Sequence, residues 1–189
     1  MVKRLKFKRR FLNLTNYAKR KVFVESGKLR LVVRFSNRYI LAQIIKAEIR
    51  GDNCLVSVHS SELKKLGWPF SLKNIPASYL VGYMIGKKAL KKGIEEVALD
   101  IGLKMPTKGA RVFAVAKGAI DAGLKLPINE EVIPDEKRIK GYHIIEYYNM
   151  IKNDESKKVF LSTYRSNESN IEKLPDIISG IINKINTDI

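Results

Sequence analysis

The chain has 189 residues, 45% hydrophobic and 29% charged, which is enough apolar material for one well-packed domain and excludes a disordered chain. Its 36 Lys and Arg against 19 Asp and Glu leave a net charge of +17, an excess that repels itself in the compact state unless a polyanion neutralises it. A single cysteine excludes an intrachain disulfide and a thiolate metal cluster, and no apolar stretch reaches the roughly 18 residues of a membrane span.

The charge is concentrated. Residues 1–94 hold 22 basic and 4 acidic residues, a net of +18, whereas residues 95–189 hold 14 and 15, a net of −1. So localised an excess points to nucleic acid as the partner, with an anionic membrane surface as the alternative. The first residues lack the apolar run of a secretory signal, so the cytosol is the expected compartment.

Residues 1–24 contain nine Lys and Arg and no acid. Their start shows no clear periodicity and predicts an extended arm bearing Lys3, Arg4, Lys6, Lys8, Arg9 and Arg10. Thr15 is the expected cap of a short helix through Glu25. Phe7, Phe11 and Tyr17 lie between the charges, a composition suited to an arm that orders on RNA. The chain divides into this arm (1–26), a core domain (27–126) and a C-terminal extension (127–189).

From Leu29 to Ser60 the sequence reads as three strands joined by turns at Ser36-Asn37-Arg38 and Gly51-Asp52-Asn53. Side chains alternate faces along a strand. Leu31, Val33, Phe35, Ile40, Ala42, Ile44, Val56 and Val58 form an apolar face. Arg30, Arg34, Ser36, Tyr39, Gln43, Ser57 and His59 form a polar one, with Val32 the exception. Cys54 is expected to be a small buried hydrophobe.

Ser61–Gly67 suits a single helical turn. Asn74 caps a helix over Ile75–Lys92, ended by Gly93, in which Gly82-x-x-x-Gly86 suggests a close approach to the sheet. Val97–Ile101 is a strand reached through that crossover helix and hence parallel to a neighbour. A second helix covers Ala110–Ala122, burying Val112, Ala116, Ala119 and Ile120. Asp135–Met150 holds a short helix, and 171–186 an Ile-rich amphipathic helix interrupted by Gly180. The fold class is α/β of the α+β type: a mixed sheet of three antiparallel strands plus one, with helices on one face.

Enzymatic constellations are thin, and no cofactor, metal or small-molecule substrate is expected. His59 and His143 have no metal-pair spacing; His59 reads as an RNA or hydrogen-bonding contact and His143 as structural. The alternative to RNA binding is a metal-dependent nuclease using Asp100 and Asp121. Against it, Asp100 can accept backbone N–H bonds after its strand and Asp121 can serve a helix end. What remains is binding: Arg30, Arg34, Gln43, Ser57 and His59 offer donors to phosphate and ribose, and Tyr39 can stack.

Arg34-Phe-Ser-Asn-Arg-Tyr-Ile-Leu-Ala-Gln-Ile-Ile resembles the strand–turn–strand signature of the large-subunit ribosomal protein L-eighteen family, which binds 5S ribosomal RNA. The likeness continues in order through His59-Ser-Ser-Glu-Leu, Gly67-Trp68, Asn74-Ile-Pro-Ala-Ser-Tyr-Leu, Gly86-Lys-Lys-Ala-Leu, Leu99-Asp-Ile-Gly, Pro106-Thr-Lys-Gly, Lys117-Gly-Ala-Ile-Asp-Ala-Gly-Leu and Arg138-Ile-x-Gly-Tyr-His-Ile-x-Glu-Tyr. It covers about residues 4–148, and the Gly-Trp loop with the segment past Ile128 is similar to the archaeal branch. The resemblance implies a non-enzymatic component of the large subunit. Its partners would be 5S rRNA, large-subunit rRNA and neighbouring ribosomal proteins including protein L-five, in the central protuberance, with no membrane. It carries over RNA contacts to Arg9, Arg10, Thr15, Tyr17, Arg20, Arg30, Arg34, Ser36, Asn37, Arg38, Gln43, His59 and Ser60. Phe11-Leu12-Asn13-Leu14 departs from the family's Lys-x-Gly or Arg-x-Gly before Thr15.

Overall fold

The computed structural model describes residues 5–151 and 168–188; Lys3, Arg4 and the polar segment 152–167 lie outside the described residues. Four strands, β1 (Arg30–Phe35), β2 (Ile40–Ala47), β3 (Asp52–His59) and β4 (Ala98–Asp100), form one sheet in the order β3-β2-β1-β4. β1 pairs antiparallel with β2 and β2 with β3, while β4 runs parallel to β1, as expected. The first turn is where the sequence puts it. Ser36 N–H donates to the Tyr39 carbonyl (2.9 Å), and Ser36 Oγ accepts from Tyr39 N–H (2.9 Å).

The second turn differs. Glu48 and Gly51 close it through paired backbone bonds of 3.2 Å, so Asp52 and Asn53 already belong to β3, opposite Ala47 and Lys46. Cys54 is exposed, not buried. Ile44 faces Val56 but Ile45 faces Cys54, which leaves Leu55 as an extra residue in β3. A bulge of this kind reverses the alternation and turns Cys54 onto the outer face.

The inner face (Leu31, Val33, Ile40, Ala42, Ile44, Val56, Val58) is sealed by helices and shares one hydrophobic core with them. After two short arm helices, α1 (Lys8–Phe11) and α2 (Tyr17–Ser26), come α3 (Glu62–Lys65), α4 (Ile75–Lys91) and α5 (Arg111–Asp121). Asn74 caps α4, its Oδ1 accepting from Ala77 N–H at 2.8 Å. The glycine pair in α4 approaches α5, not the sheet. A Cβ on Gly82 would collide with the Val115 carbonyl, one on Gly86 would meet Ala122 Cβ at 2.5 Å, and one on Gly118 would collide with the Tyr79 carbonyl. Three glycines thus let two backbones touch.

The segment after Pro134 forms two helices, α6 (Glu136–Ile139) and α7 (Tyr142–Ile151). They are followed by α8 (Glu168–Ile171) and α9 (Leu174–Asp188), and α9 runs through Gly180 without interruption. Ile171, Leu174, Ile178, Ile181 and Ile185 are buried in the same core as the sheet. Tyr83 Oη donates to Asn186 Oδ1 (2.9 Å) and Lys184 Nζ to the Leu66 carbonyl (3.0 Å), tying α9 across α4 and α3. No helix among the described residues is long and apolar enough to cross a membrane.

Candidate nucleic-acid interface

The outer face follows from the register. Arg30, Val32 and Arg34 on β1 stand beside Ile45, Gln43 and Leu41 on β2, which stand beside Cys54, Ser57 and His59 on β3. The arm is part of this face. α2 packs against β2, and Val32 and Ile45 are buried although they point away from the main core. That cover explains why Val32 breaks the polar pattern of its strand.

The helix begins one residue later than expected. Asn16 is the cap, its Oδ1 accepting from Ala18 N–H (3.1 Å) and Lys19 N–H (3.2 Å). Thr15 instead accepts from Arg9 Nε at 2.9 Å, which folds α1 back toward α2. Phe7 stacks on Tyr17 with ring centroids 5.4 Å apart. The arm's start is thus a helical turn closed on itself, where the sequence suggested an extended arm.

Charge fixes α2 to the sheet. Arg20 pairs with Asp52 at 3.0 Å and donates to the Glu48 carbonyl at 3.3 Å. Asp52 also holds Arg30 at 2.6 Å, and Asp100 holds Arg30 from β4 at 2.8 Å. Phe23 of α2 lies against the same guanidinium, 5.6 Å from ring centroid to Cζ. Arg30 is only 8% exposed. It was expected to meet RNA, but its charge is compensated within the protein. Ser60 is a similar case: it is fully buried, and its Oγ accepts the Ile40 N–H at 3.0 Å. A buried strand end needs that acceptor more than a ligand does.

Between arm and sheet runs a groove of about 700 Å³. Arg9, Lys19 and Arg20 line its arm side, Arg34 and Phe35 its floor, and Leu103 and Lys104 its far wall. Arg34 is exposed and makes no hydrogen bond or ion pair among the described residues. Arg10 and Tyr17 border an adjoining concavity that also touches Leu103. Lys6, Lys8 and Arg10 are exposed along the arm. The sequence reading missed Lys19 and Lys104. Lys19 follows from α2's phase once Asn16 is the cap, but Lys104 comes from a loop whose return to the groove only the tertiary fold reveals.

At the other end of the face, Tyr39 and His59 stack with centroids 4.9 Å apart, and His59 Nδ1 lies 2.6 Å from Ser61 Oγ. Gln43 Nε2 donates to Cys54 Sγ at 3.4 Å. Asn37 and Arg38 are exposed at the turn. Glu62 accepts from His59 N–H (2.9 Å) and Lys88 Nζ (2.7 Å). Burial alone would raise its carboxyl pKa, but those two bonds outweigh it and hold the value below the ordinary range. His143 is held below its usual pKa by desolvation and then by Arg138.

The two carboxylates of the nuclease reading are apart and occupied. Asp100 holds Arg30 and accepts Gly102 N–H at 2.9 Å, as a strand-end acid does. Asp121 accepts from Tyr79 Oη (2.9 Å) and Lys117 (3.0 Å), beside a different concavity. Among the described residues no three His, Cys, Asp or Glu converge as a metal site would require.

A mixed sheet sealed by helices on one face and roofed by a basic arm on the other defines a protein of the α+β class with a strongly basic outer face. The chain belongs to the family described as "Ribosomal large subunit proteins 60S L5, and 50S L18", which matches residues 3–97 and 91–129. It is 45% identical over 186 residues to "Large ribosomal subunit protein uL18" of Methanothermobacter thermautotrophicus, covering 98% of this chain and 96% of that one. Proteins of the same name from Thermofilum pendens (46%, 96% of this chain and 94% of that one) and Caldivirga maquilingensis (48%, 96% and 89%) are alike over nearly the full length. The likeness to the archaeal branch read from the motifs is therefore borne out.

Proposed function

We propose that this protein is a structural constituent of the large ribosomal subunit, acting in the cytoplasm by positioning 5S rRNA. It binds that RNA in the groove between its arm and the outer sheet face and helps attach it to the large rRNA in the central protuberance, beside protein L-five. One observation carries this reading. Among the described residues Arg9, Lys19 and Arg34 line one groove without a carboxylate partner, while Arg20 and Arg30, which have such partners, hold the groove's walls together. Guanidinium and ammonium groups on two sides of one groove suit phosphate oxygens, and Tyr39, Gln43 and His59 farther along the same face suit bases and ribose hydroxyls. Lys3, Arg4, Lys6, Lys8, Arg10, Thr15, Tyr17, Ser36, Asn37 and Arg38 extend the contact along the arm and the first turn; Arg30 and Ser60 support it from inside.

The test is binding to 5S rRNA against unrelated RNA across a salt series. Contact with about five to eight phosphates gives a log–log salt slope of roughly −4 to −7. Arg34→Ala should weaken binding and lower the slope by about one, whereas Lys137→Ala, on the electrically neutral half, should change neither. No preference for 5S rRNA at moderate salt would overturn the proposal.

A further inference from the structure

We propose that Lys73, Lys104 and Arg111 form a second phosphate-binding site at the end of β1 remote from Arg30, gripping the RNA backbone where it leaves the groove. The inference deepens the 5S rRNA reading and rests on it.

Three separate segments deliver these cations: the loop before α4, the loop after β4, and the first turn of α5. Lys104 Nζ lies 4.3 Å and Arg111 Cζ 4.9 Å from the centroid of one ring, Phe35. Arg111 donates to the Lys73 carbonyl (3.2 Å), and Lys73 Nζ donates to the Asn37 carbonyl (3.2 Å). None of the three forms an ion pair among the described residues. The nearest acids in sequence are engaged elsewhere, Glu62 with Lys88, Asp100 with Arg30 and Asp121 with Lys117.

Packing alone does not account for this. A single cation suffices to cover the face of a phenyl ring. Bringing a second and a third positive charge to the same corner, with no anion between them, raises the energy of all three. Lys104 records the crowding: its pKa is lowered first by desolvation and then by Arg111 and Lys73. An arrangement that is unfavourable in the free protein becomes favourable when a phosphate enters, because each cation then gains a counter-charge.

There is room for one. A concavity of about 170 Å³ beside the cluster is lined by Phe35, Lys104, Thr107 and Arg111. That is the volume of about five waters, enough for a phosphate and some of its hydration. Phe35, Ile101 and Lys104 line both this concavity and the groove, so the two adjoin and lie within reach of one RNA strand.

The experiment uses the full-length protein and 5S rRNA over a salt series, with Lys104→Gln, Lys104→Arg and the double variant Lys73→Gln/Lys104→Gln. Removing one phosphate contact should lower the magnitude of the log–log slope by about 0.7–0.9 and the affinity about five-fold at 0.15 M salt. The double variant should lose about twice that slope, and Lys104→Arg should keep the wild-type slope. Amine-reactive labelling of the wild-type protein gives a readout independent of the folding of any variant: Lys104 should be protected by 5S rRNA while Lys173 stays reactive. An unchanged slope for Lys104→Gln where Arg34→Ala lowers it, or unprotected Lys104, overturns the second site alone. Wild-type protein that does not prefer 5S rRNA overturns instead the reading beneath it.

Discussion

Arg30 stands at the centre of a four-residue charge network running from the arm to the far edge of the sheet: Arg20, Asp52, Arg30 and Asp100. A buried ion pair contributes little net stability beside apolar packing, but removing one member leaves an uncompensated charge. Arg30→Ala should therefore cost about 3 kcal/mol in urea unfolding, and the loss should loosen α2 from the sheet. It should also weaken RNA binding while leaving the salt slope unaltered, since Arg30 compensates protein carboxylates and not phosphates. A slope lowered by about one, as for Arg34→Ala, would show a direct phosphate contact instead. Parity placed Arg30 and Arg34 together on one face, and that was right. It could not separate them, because their difference lies in Asp52 and Asp100, which are 22 and 70 residues away.

The helix pair α4–α5 illustrates what spacing reveals at the level of elements and what it leaves open. Gly82, Gly86 and Gly118 are all at a backbone contact, and the sequence marks the first two as a close-approach motif. Which element approaches is not encoded in the motif; the answer is α5, through Val115 and Ala119. Gly82→Ala should destabilise the fold by about 3 kcal/mol or prevent folding, since the obstacle is a backbone carbonyl that cannot rotate away. Gly180→Ala is the counterpart. Among the described residues no atom lies within 4 Å of its would-be Cβ, and the position is helical, so the change should stabilise by about 0.5–1 kcal/mol. Denaturant midpoints of the two variants on either side of wild type would confirm the assignment, and a destabilised Gly180→Ala would refute it. The start of α2 teaches the same lesson. Thr15 and Asn16 are both fair caps by type; Asn16 takes the cap, and Thr15 engages Arg9 instead.

For the molecule as a whole, the excess of +17 sits on a core whose C-terminal helices contribute Ile171, Leu174, Ile178, Ile181 and Ile185. The near-neutral half thus helps to hold together a basic half that repels itself. Screening that repulsion should raise the thermal midpoint of the free protein as salt increases from about 0.02 to 0.3 M, over which the Debye length falls from roughly 20 to 6 Å. The same salt should weaken RNA binding, so stability and affinity should move in opposite directions in parallel melts and titrations. A midpoint that fell with salt would mean that ion pairs such as Arg20–Asp52 outweigh the repulsion.

The sequence by itself determined the strand alternation, the crossover that makes β4 parallel, the Asn74 cap of α4 and the family, because each depends on residues close together in the chain or on their order. It also located the polyanion interest in the first half, since net charge is a sum and needs no geometry. Only the tertiary structure decided which basic residues are available to a ligand. Burial and ion pairing depend on what the fold brings alongside: Asp52 and Asp100 took Arg30, a bulge turned Cys54 outward, the loop after β4 returned Lys104 to the groove, and the arm became a wall of the site it was expected only to reach.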